Sequence, residues 1–449
     1  MERQIHSSQR TSRSSGCRFK KNKRQIERIS RHSLEVSKPP KNHSYSLSVI
    51  QLGISLVTLA GISFRAVSKL YKCLNICLHL SLGTPSHTTV LNWTKKQGIY
   101  QFREKEFYDQ QRWVLIADES IQFGNKKLLL VLAVPEERCN TGQALTYSDL
   151  KPLVLKVSES WKSEDVAAEI RNHIGLKQIA YCISDSGSNL TRAFKLLKRK
   201  YIPDINHKFS RIVQSTFEED PLFIGYTKAL ASLRAQRSMS KIARIVPPNQ
   251  RVMSRYMNLT PLFKWGMKMT ILLDTNQLNQ EEKSALSFME PYRDFISDTY
   301  HMLITLNTMQ ELLKNEGLNK KTCKESLSLL SDLVSGKSLK VRKSVEEYVN
   351  GLAAMIKRGR TICCSSDIIE SCFGKYKEVV KGNKSVGISD LCLCIAAMLG
   401  DDNFDEVETG KAMETISMKH LKEWKNINIC KTLFAEKQDL NRYIERNKI

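Results

Sequence analysis

Residues 112–209 alternate between short apolar runs and helical patterns, and this alternation restricts the possible folds. The apolar runs predict strands at 113–117, 127–134, 153–157, 179–184 and near 205–209, with helices at Ser163–His173 and Leu190–Lys200. Three strands without an intervening helix form a meander, whereas strands that are separated by helices pair in parallel. The sequence therefore predicts an α/β fold with a mixed sheet.

This order of elements matches the ribonuclease H-like fold, and three carboxylates occupy notable positions in it. Asp118 directly follows the first predicted strand, Asp185 directly follows the fourth, and Glu370 lies on a helix predicted at Asp367–Lys381. Ligands of α/β sheets gather beyond the carboxyl ends of the strands. Carboxylate oxygens are the ligands that Mg²⁺ prefers. We therefore expect a site for two metal ions, an arrangement suited to phosphodiester chemistry.

The helix that carries Glu370 has a second interpretation. Glu370, Lys377 and Lys381 fall on one stripe of the helix, so that a carboxylate reaching metals would be followed by lysines reaching phosphates. Asp367 and Glu370 also have the spacing of a capping-box-like pair at a helix start. The residues alone leave both interpretations open.

Other acidic residues compete with the first two aspartates. Glu119 adjoins Asp118, but its side chain should point to the opposite face of the strand. Asp204 is the best alternative for the second aspartate, although we favour a turn-forming, structural role for Asp204 and His207. His207 could still orient a metal-bound water or a phosphate. The cysteines lack the paired spacing of a zinc site, and no glycine-rich phosphate loop is present.

The charge of the chain indicates a polyanionic partner. The net charge is +24 and the pI is about 9.5, which is typical of proteins that bind nucleic acid or an anionic membrane. Residues 1–45 contain twelve Lys and Arg and three Glu, so they predict a disordered basic arm, or a solvated tail without a specific role. The apolar segment Leu47–Phe64 is interrupted by polar residues and is short for a membrane span, which favours a buried domain helix and no membrane partner.

Residues 46–110 predict a helical domain. A helical pattern around Phe64–Lys72 is followed by a break at 83–85 and by a short helix from Ser86 to Lys96. This is the helix-turn-helix pattern of DNA-binding domains. In it the groove-facing residues would be Ser86, His87, Thr88 and Asn92. Plain helical packing is the alternative.

Residues 210–360 predict a large all-helical insertion, after which 361–387 resume the core with the glutamate-bearing helix and 388–449 form a helical tail. Arg244 and Arg251 flank a Pro-Pro break in the insertion. They suggest a second DNA-contacting surface, and the alternative is a cap that only stabilises the fold or a dimer. Trp265 could stack on a displaced base, although we favour its burial between helices.

Three windows of the sequence resemble a known superfamily. The window Ser366–Lys377, with Glu370 in it, resembles the glutamate-bearing helix of bacterial insertion-sequence transposases of the Asp-Asp-Glu superfamily. Asp118 in Ile116–Ser120 and Asp185 in Ser184–Asn189 are similar to its first and second aspartates. The resemblance covers about residues 46–385. It implies a ribonuclease H-like catalytic core with a large all-helical insertion, preceded by a helical (helix-turn-helix-like) DNA-binding domain.

The resemblance also implies a function. The chain would be a Mg²⁺- or Mn²⁺-dependent DNA transposase that holds two ions through Asp118, Asp185 and Glu370, cuts element ends and joins 3′-hydroxyls to target DNA. Its partners would be terminal inverted repeats, target DNA and further copies of itself on paired ends, in the bacterial cytoplasm at the nucleoid. The candidate DNA-binding residues are Ser86, Thr88, Asn92, Lys375, Lys377, Lys381, Arg244 and Arg251. The alternatives are a nuclease or resolvase of the same fold without strand transfer, and an inactive transposase-derived DNA-binding protein.

Overall fold

The computed structural model describes residues 38–103, 111–121, 126–250, 255–334, 336–357, 359–380, 388–400, 406–431 and 433–447. These residues form a mixed α/β structure that is mostly helical and contains one five-stranded mixed sheet. Residues 1–37, most of the predicted basic arm, lie outside the described part.

The sheet has the strand order β3-β2-β1-β4-β5. Its strands are β1 (Trp113–Ile121), β2 (Lys127–Pro135), β3 (Lys151–Ser158), β4 (Ile179–Ser184) and β5 (Tyr201–Pro203). β1, β2 and β3 pair antiparallel, whereas β4 is parallel to β1 and β5 is parallel to β4. Residues 128–134 of β2 are buried without interruption, because both faces of the sheet are covered.

Helices α5 (Ser163–His173) and α6 (Ser188–Leu196) cover one face of the sheet. Their apolar residues, including Ile170 and Phe194, share a core with the odd-numbered residues Trp113, Leu115 and Ala117 of β1. Side chains alternate between the faces of a strand. Asp118 therefore lies on the other face of the sheet.

The first four predicted strands are confirmed in position, but the fifth, near 205–209, is wrong. The chain forms β5 at Tyr201–Pro203 and then turns directly into helix α7 (Ile205–Phe217). The Asp204 carboxylate accepts a hydrogen bond from the His207 N–H (2.9 Å) and caps this helix. β1 is also longer than predicted, because its pairing with β2 continues to Ile121.

The region between β5 and the glutamate-bearing helix is helical. After α7 it contains α8 (Pro221–Arg237), α9 (Thr260–Asp274), α10 (Gln280–Leu286), α11 (Arg293–Glu316), α12 (Lys320–Leu329) and α13 (Gly336–Ala353). Helices α10 and α11 are separated by a 3₁₀ segment that contains Pro291. Helix α14 (Asp367–Val380) follows.

The chain divides into two compact units. Among the described residues, the first comprises 38–97, with α1 (Leu47–Thr58), α2 (Phe64–Cys77) and most of α3 (His87–Arg103), together with 406–417 and their helix α16 (Glu406–Thr415). The second contains the sheet, the helical region, α4 (Glu136–Cys139), α15 (Leu393–Ala397), α17 (Met418–Asn428) and α18 (Leu433–Asn447). The predicted helical tail, 388–449, is thus shared between the two units. No helix in the described ranges is long and apolar enough to cross a membrane.

Candidate functional site

Two aspartates are neighbours just beyond the last residue pair that joins the parallel strands β1 and β4. Ala117 of β1 and Ser184 of β4 are the last paired residues of these strands, and the next residues are Asp118 and Asp185. Residues in register on parallel strands project to the same face. The sheet therefore brings together the two aspartates that the sequence singles out.

The electrostatics of Asp118 reflect this proximity. Burial and, after it, the charge of Asp185 raise the pKa of the Asp118 carboxyl to about 7, with a smaller increase from Glu370 and against a lowering by the Glu119 N–H and by His207. The Glu119 N–H donates to Asp118 Oδ1 at 2.7 Å. Like charges that raise one another's pKa are relieved by a bound cation.

Asp185 is held by the turn that follows β4. Its Oδ1 accepts a hydrogen bond from the Gly187 N–H at 3.0 Å. A Cβ atom at Gly187 would lie 2.8 Å from the same oxygen, which is too close for an ordinary contact. The glycine therefore allows the Asp185 carboxylate to stay in this orientation.

Glu370 lies on the first turns of α14, on the same side of the sheet as Asp118. Its side chain is 45% exposed, and its Oε1 is 3.8 Å from Nδ1 of His207. Burial raises the pKa of Glu370, whereas the charge of His207 lowers it. Glu370 also lines a cavity of about 320 Å³, whose other walls come from α7, residues 256–260 and α11. The carboxylate is thus accessible beside a cavity.

Asp204 has a structural role, as we favoured from the sequence. Its side chain is fully buried. Oδ1 accepts from the backbone N–H of His207 (2.9 Å) and lies 3.0 Å from His207 Nδ1, and Oδ2 accepts from the Ser366 N–H at 2.6 Å. Burial alone would raise the pKa of Asp204, but these hydrogen bonds outweigh burial and lower it. With both oxygens engaged, Asp204 is a poor candidate for a metal ligand.

His207 is a cation beside the carboxylates. The hydrogen bond with Asp204, together with the charges of Asp204, Glu370 and Asp185, raises the pKa of His207 to about 9 against the effect of burial. At neutral pH the imidazole is therefore protonated. A positive charge at this position can face both Glu370 and an incoming anion.

Asp204 also connects two distant parts of the chain, which the sequence reasoning missed. Ser366, whose N–H it accepts, directly precedes α14. The Ile205 N–H donates to the Cys364 carbonyl at 3.0 Å, and the Asn206 amide donates to the Asp367 carboxylate. The start of α7 thus holds the start of α14 and sets the position of Glu370. In the sequence, the Asp-x-x-His spacing of Asp204 and His207 indicates the cap of α7. It does not indicate the link between α7 and α14.

The carboxylate set suits a hard divalent cation in its chemistry, because Asp118, Asp185 and Glu370 supply only oxygen donors and repel one another. In the part of the chain that the structure describes, however, no three acidic, histidine or cysteine side chains stand close enough together to hold a metal ion. Asp118 and Asp185 adjoin each other in the sheet, whereas the exposed Glu370 side chain lies beside His207.

Other predicted residues near the site have identifiable contacts. Glu119 lies on the opposite face from Asp118, as predicted, and its carboxylate is 3.0 Å from Lys127 Nζ. Lys375 lies over the Tyr147 ring, 4.1 Å from its centroid. Lys377 is exposed. Lys381 lies outside the described residues.

The helical region does not present Arg244 as a free cation. Its guanidinium forms a bidentate pair with Glu282, at 2.5 Å and 2.7 Å, and the Glu282 side chain is 1% exposed. The contact of Arg244 with DNA stays a prediction, but the side chain already has an intramolecular partner. Arg251 lies outside the described residues. Trp265 is half-buried.

The candidate groove-facing residues lie at the start of α3. Ser86 Oγ accepts from the Thr89 N–H at 3.1 Å and caps the helix, so part of its hydrogen-bonding capacity is used. Thr88 is exposed and Asn92 is half-buried. The predicted short helix is a longer one, which ends at Arg103.

Neither the models of known protein families nor the curated protein sequences give a match to this chain.

Proposed function

We propose that this protein is a DNA transposase that cuts the ends of a mobile element and joins the 3′-hydroxyls to target DNA. The observation that carries the proposal is the pairing of Ala117 with Ser184, which leaves Asp118 and Asp185 side by side where the parallel pairing of β1 with β4 ends. Glu370 adds a third carboxylate from a late helix on the same face. The strand order β3-β2-β1-β4-β5 supports a ribonuclease H-like core.

The residues of the site suggest a division of tasks. Asp118, Asp185 and Glu370 would hold divalent cations, which, when bound, stabilise the attacking and leaving oxygens of a phosphodiester displacement. The protonated His207 offers a positive charge beside Glu370 for a phosphate oxygen. Asp204 keeps His207 protonated and fixes the start of α14. The aspartates need no covalent chemistry of their own, since positioning and charge neutralisation are sufficient.

The high net charge of +24 supports DNA as the substrate, because a basic surface binds phosphates and releases counterions. The proposed enzyme would act as a homo-oligomer on paired element ends, with the helical unit that contains Ser86, Thr88 and Asn92 reading the terminal repeats. Lys377 would contact the DNA backbone beside the site.

The test is an assay with purified protein, a labelled DNA end carrying the terminal repeat, a target plasmid and Mg²⁺. We expect cleaved and joined products, both absent in Asp118→Asn and Glu370→Gln, with DNA binding near that of the wild type. Glu119→Gln is the matched control, because Glu119 adjoins Asp118 but lies on the opposite face of the strand. It should retain both products.

The possible results separate the alternatives. Cleavage without joining would identify a nuclease or resolvase with the same site. Binding without any Mg²⁺-dependent cleavage by the wild type would indicate an inactive transposase-derived DNA-binding protein. If Glu119→Gln loses as much activity as Asp118→Asn, the conclusion that Asp118 and not Glu119 faces the site is refuted.

A further inference from the structure

A second charged cavity lies at the opposite edge of the sheet from the carboxylates. Its volume is about 140 Å³. Arg112, which lines it, directly precedes β1, and Lys200 directly precedes β5. Because β1, β4 and β5 run parallel, the cavity is at their amino ends, whereas Asp118 and Asp185 lie at the carboxyl ends.

The cavity is strongly basic. Arg112, Lys200, Lys357 and Arg360 line it, and the acidic residue in its described lining is Glu136. Glu136 lies 3.5 Å from Arg112 Nε and so offsets part of one cation. Three further cations converge on the same small space without an acidic partner in that lining. Like charges at close range repel one another, and a bound anion relieves that repulsion.

The wall of the cavity contains a hydrogen-bond donor in addition to the charges. Asn140 lines the cavity, and its Oδ1 accepts from the Thr361 N–H at 3.1 Å, which fixes the orientation of the amide. Among the described residues, its Nδ2 is buried and has no hydrogen-bond partner. Buried donors are normally satisfied. This unsatisfied donor belongs to a residue that adjoins the cations of the cavity.

The positive charge extends beyond the cavity. Lys195 and Lys198, at the carboxyl end of α6, are exposed and lie just before Lys200 in the chain. Residues 186–203 contain five Lys and Arg and no Asp or Glu. A small phosphate compound would need only the cavity, whereas a chain of phosphates would also use the cations that follow it.

We propose that this basic cavity is a phosphate-binding site for the backbone of a nucleic acid, separate from the carboxylate site. Backbone contacts position a nucleic acid without reading its sequence. Under the proposed function the cavity would hold a DNA segment other than the one being cut. The proposal does not depend on the metal chemistry, since it concerns binding alone.

The experiment measures binding of the full-length protein to a fluorescent random-sequence duplex, by anisotropy in EDTA, as a function of salt. Lys357→Gln/Arg360→Gln removes two exposed cations of the cavity. Each lost phosphate contact lowers the slope of log affinity against log salt by about 0.9, so we expect a decrease of about 1.8 and binding about 60-fold weaker at about 0.1 M salt. Arg360→Gln alone should give about half the change in slope.

Lys422→Gln/Lys425→Gln, on the exposed face of α17, is the matched control with the same change in net charge. It should shift the slope much less. Equal slopes for the two double variants would overturn the proposal. A second pair of results would also overturn the proposal. If Lys357→Gln/Arg360→Gln binds DNA as the wild type does, and pyrophosphate raises the thermal midpoint of the wild type only, the cavity serves a small phosphate compound. EDTA prevents metal-dependent cleavage, so this experiment measures binding alone. Failure of the phosphate-site proposal would therefore not refute the proposed cleavage activity, and failure of the cleavage assay would not refute the phosphate site.

Discussion

Replacing Asp204 with Asn should uncouple the glutamate-bearing helix from the sheet. Asp204 Oδ2 accepts the Ser366 N–H at 2.6 Å, and Oδ1 accepts the N–H of His207 and lies 3.0 Å from its ring nitrogen. An Asn that keeps the cap of α7 places its amide N–H₂ against the Ser366 N–H. Two donors then face each other in a fully buried position, and the charge opposite His207 is lost.

The magnitude follows from the structure. The pKa of His207 rises from 6.5 to about 9, chiefly through its hydrogen bond with Asp204, which corresponds to about 3 kcal/mol of favourable interaction. The unsatisfied N–H at Ser366 adds about 1–3 kcal/mol. We therefore expect Asp204→Asn to lower the free energy of unfolding by about 4 kcal/mol or more at about pH 6.

The cost should depend on pH in a defined direction. The folded-state pKa of His207 is higher than its unfolded value, so its contribution to stability is complete below pH 6.5 and is lost as the pH rises through about 9. At about pH 9.5 the imidazole is largely neutral in both states. The cost of Asp204→Asn should then fall to the about 1–3 kcal/mol of the buried N–H.

The assay is urea unfolding at both pH values, combined with hydrogen exchange of peptides that cover residues 361–371. Asp220→Asn is the matched control. Asp220 also caps a helix, α8, by accepting from the Leu222 N–H (2.8 Å), and it pairs with Lys337 at 3.1 Å. Asn is an equivalent cap, so Asp220→Asn loses only the pair with Lys337. Only Asp204→Asn should accelerate exchange in 361–371 and reduce cleavage. Equal, pH-independent costs for the two variants would refute the reasoning.

Three further changes test other parts of the account. Gly187→Ala should displace the Asp185 carboxylate, because the new Cβ would lie 2.8 Å from its Oδ1, and should reduce cleavage in the DNA assay with little change in thermal midpoint. Asp118→Asn should raise the free energy of unfolding in metal-free buffer at about pH 8 by up to about 4 kcal/mol. The pKa of the wild-type Asp118 carboxyl is about 7 in the folded protein against the ordinary 3.8, so wild-type stability is lost as the pH rises through that range. Arg244→Gln should lower the thermal midpoint, because it leaves the buried Glu282 carboxylate without its bidentate partner.

Each of these predictions has an outcome that contradicts it. Gly351 has no atom within 4 Å of an added Cβ, so Gly351→Ala is the control for Gly187→Ala, and equal activity in the two variants would remove the steric argument. The gain in Asp118→Asn should nearly vanish at about pH 4, where the Asp118 carboxyl is already protonated in the folded protein. A full gain at that pH would have another cause. A stable Arg244→Gln with impaired DNA binding would restore Arg244 as a DNA contact.

Much of the sheet and part of the site follow from local sequence. The apolar runs at 127–134 and 179–184 predict buried strands because every residue can pack when both faces are covered, and the structure has both strands. Asp118 and Asp185 stand out because a charged residue ends an apolar run. The α/β class, the central helical region and the helix of Glu370 are readable for the same reason, since residue type and period 2 or 3.6 are local properties.

Tertiary structure alone decided the rest. The pairing of Ala117 with Ser184, the hydrogen bond from Ser366 to Asp204 across 162 residues and the pairing of Arg244 with Glu282 join segments that no local pattern connects. The last predicted strand was wrong because the cap at Asp204 competes with a short apolar run, and a side-chain hydrogen bond there favours a helix. Which charges remain available for a ligand depends on which partners the folded chain brings within reach, and that is a property of long-range packing.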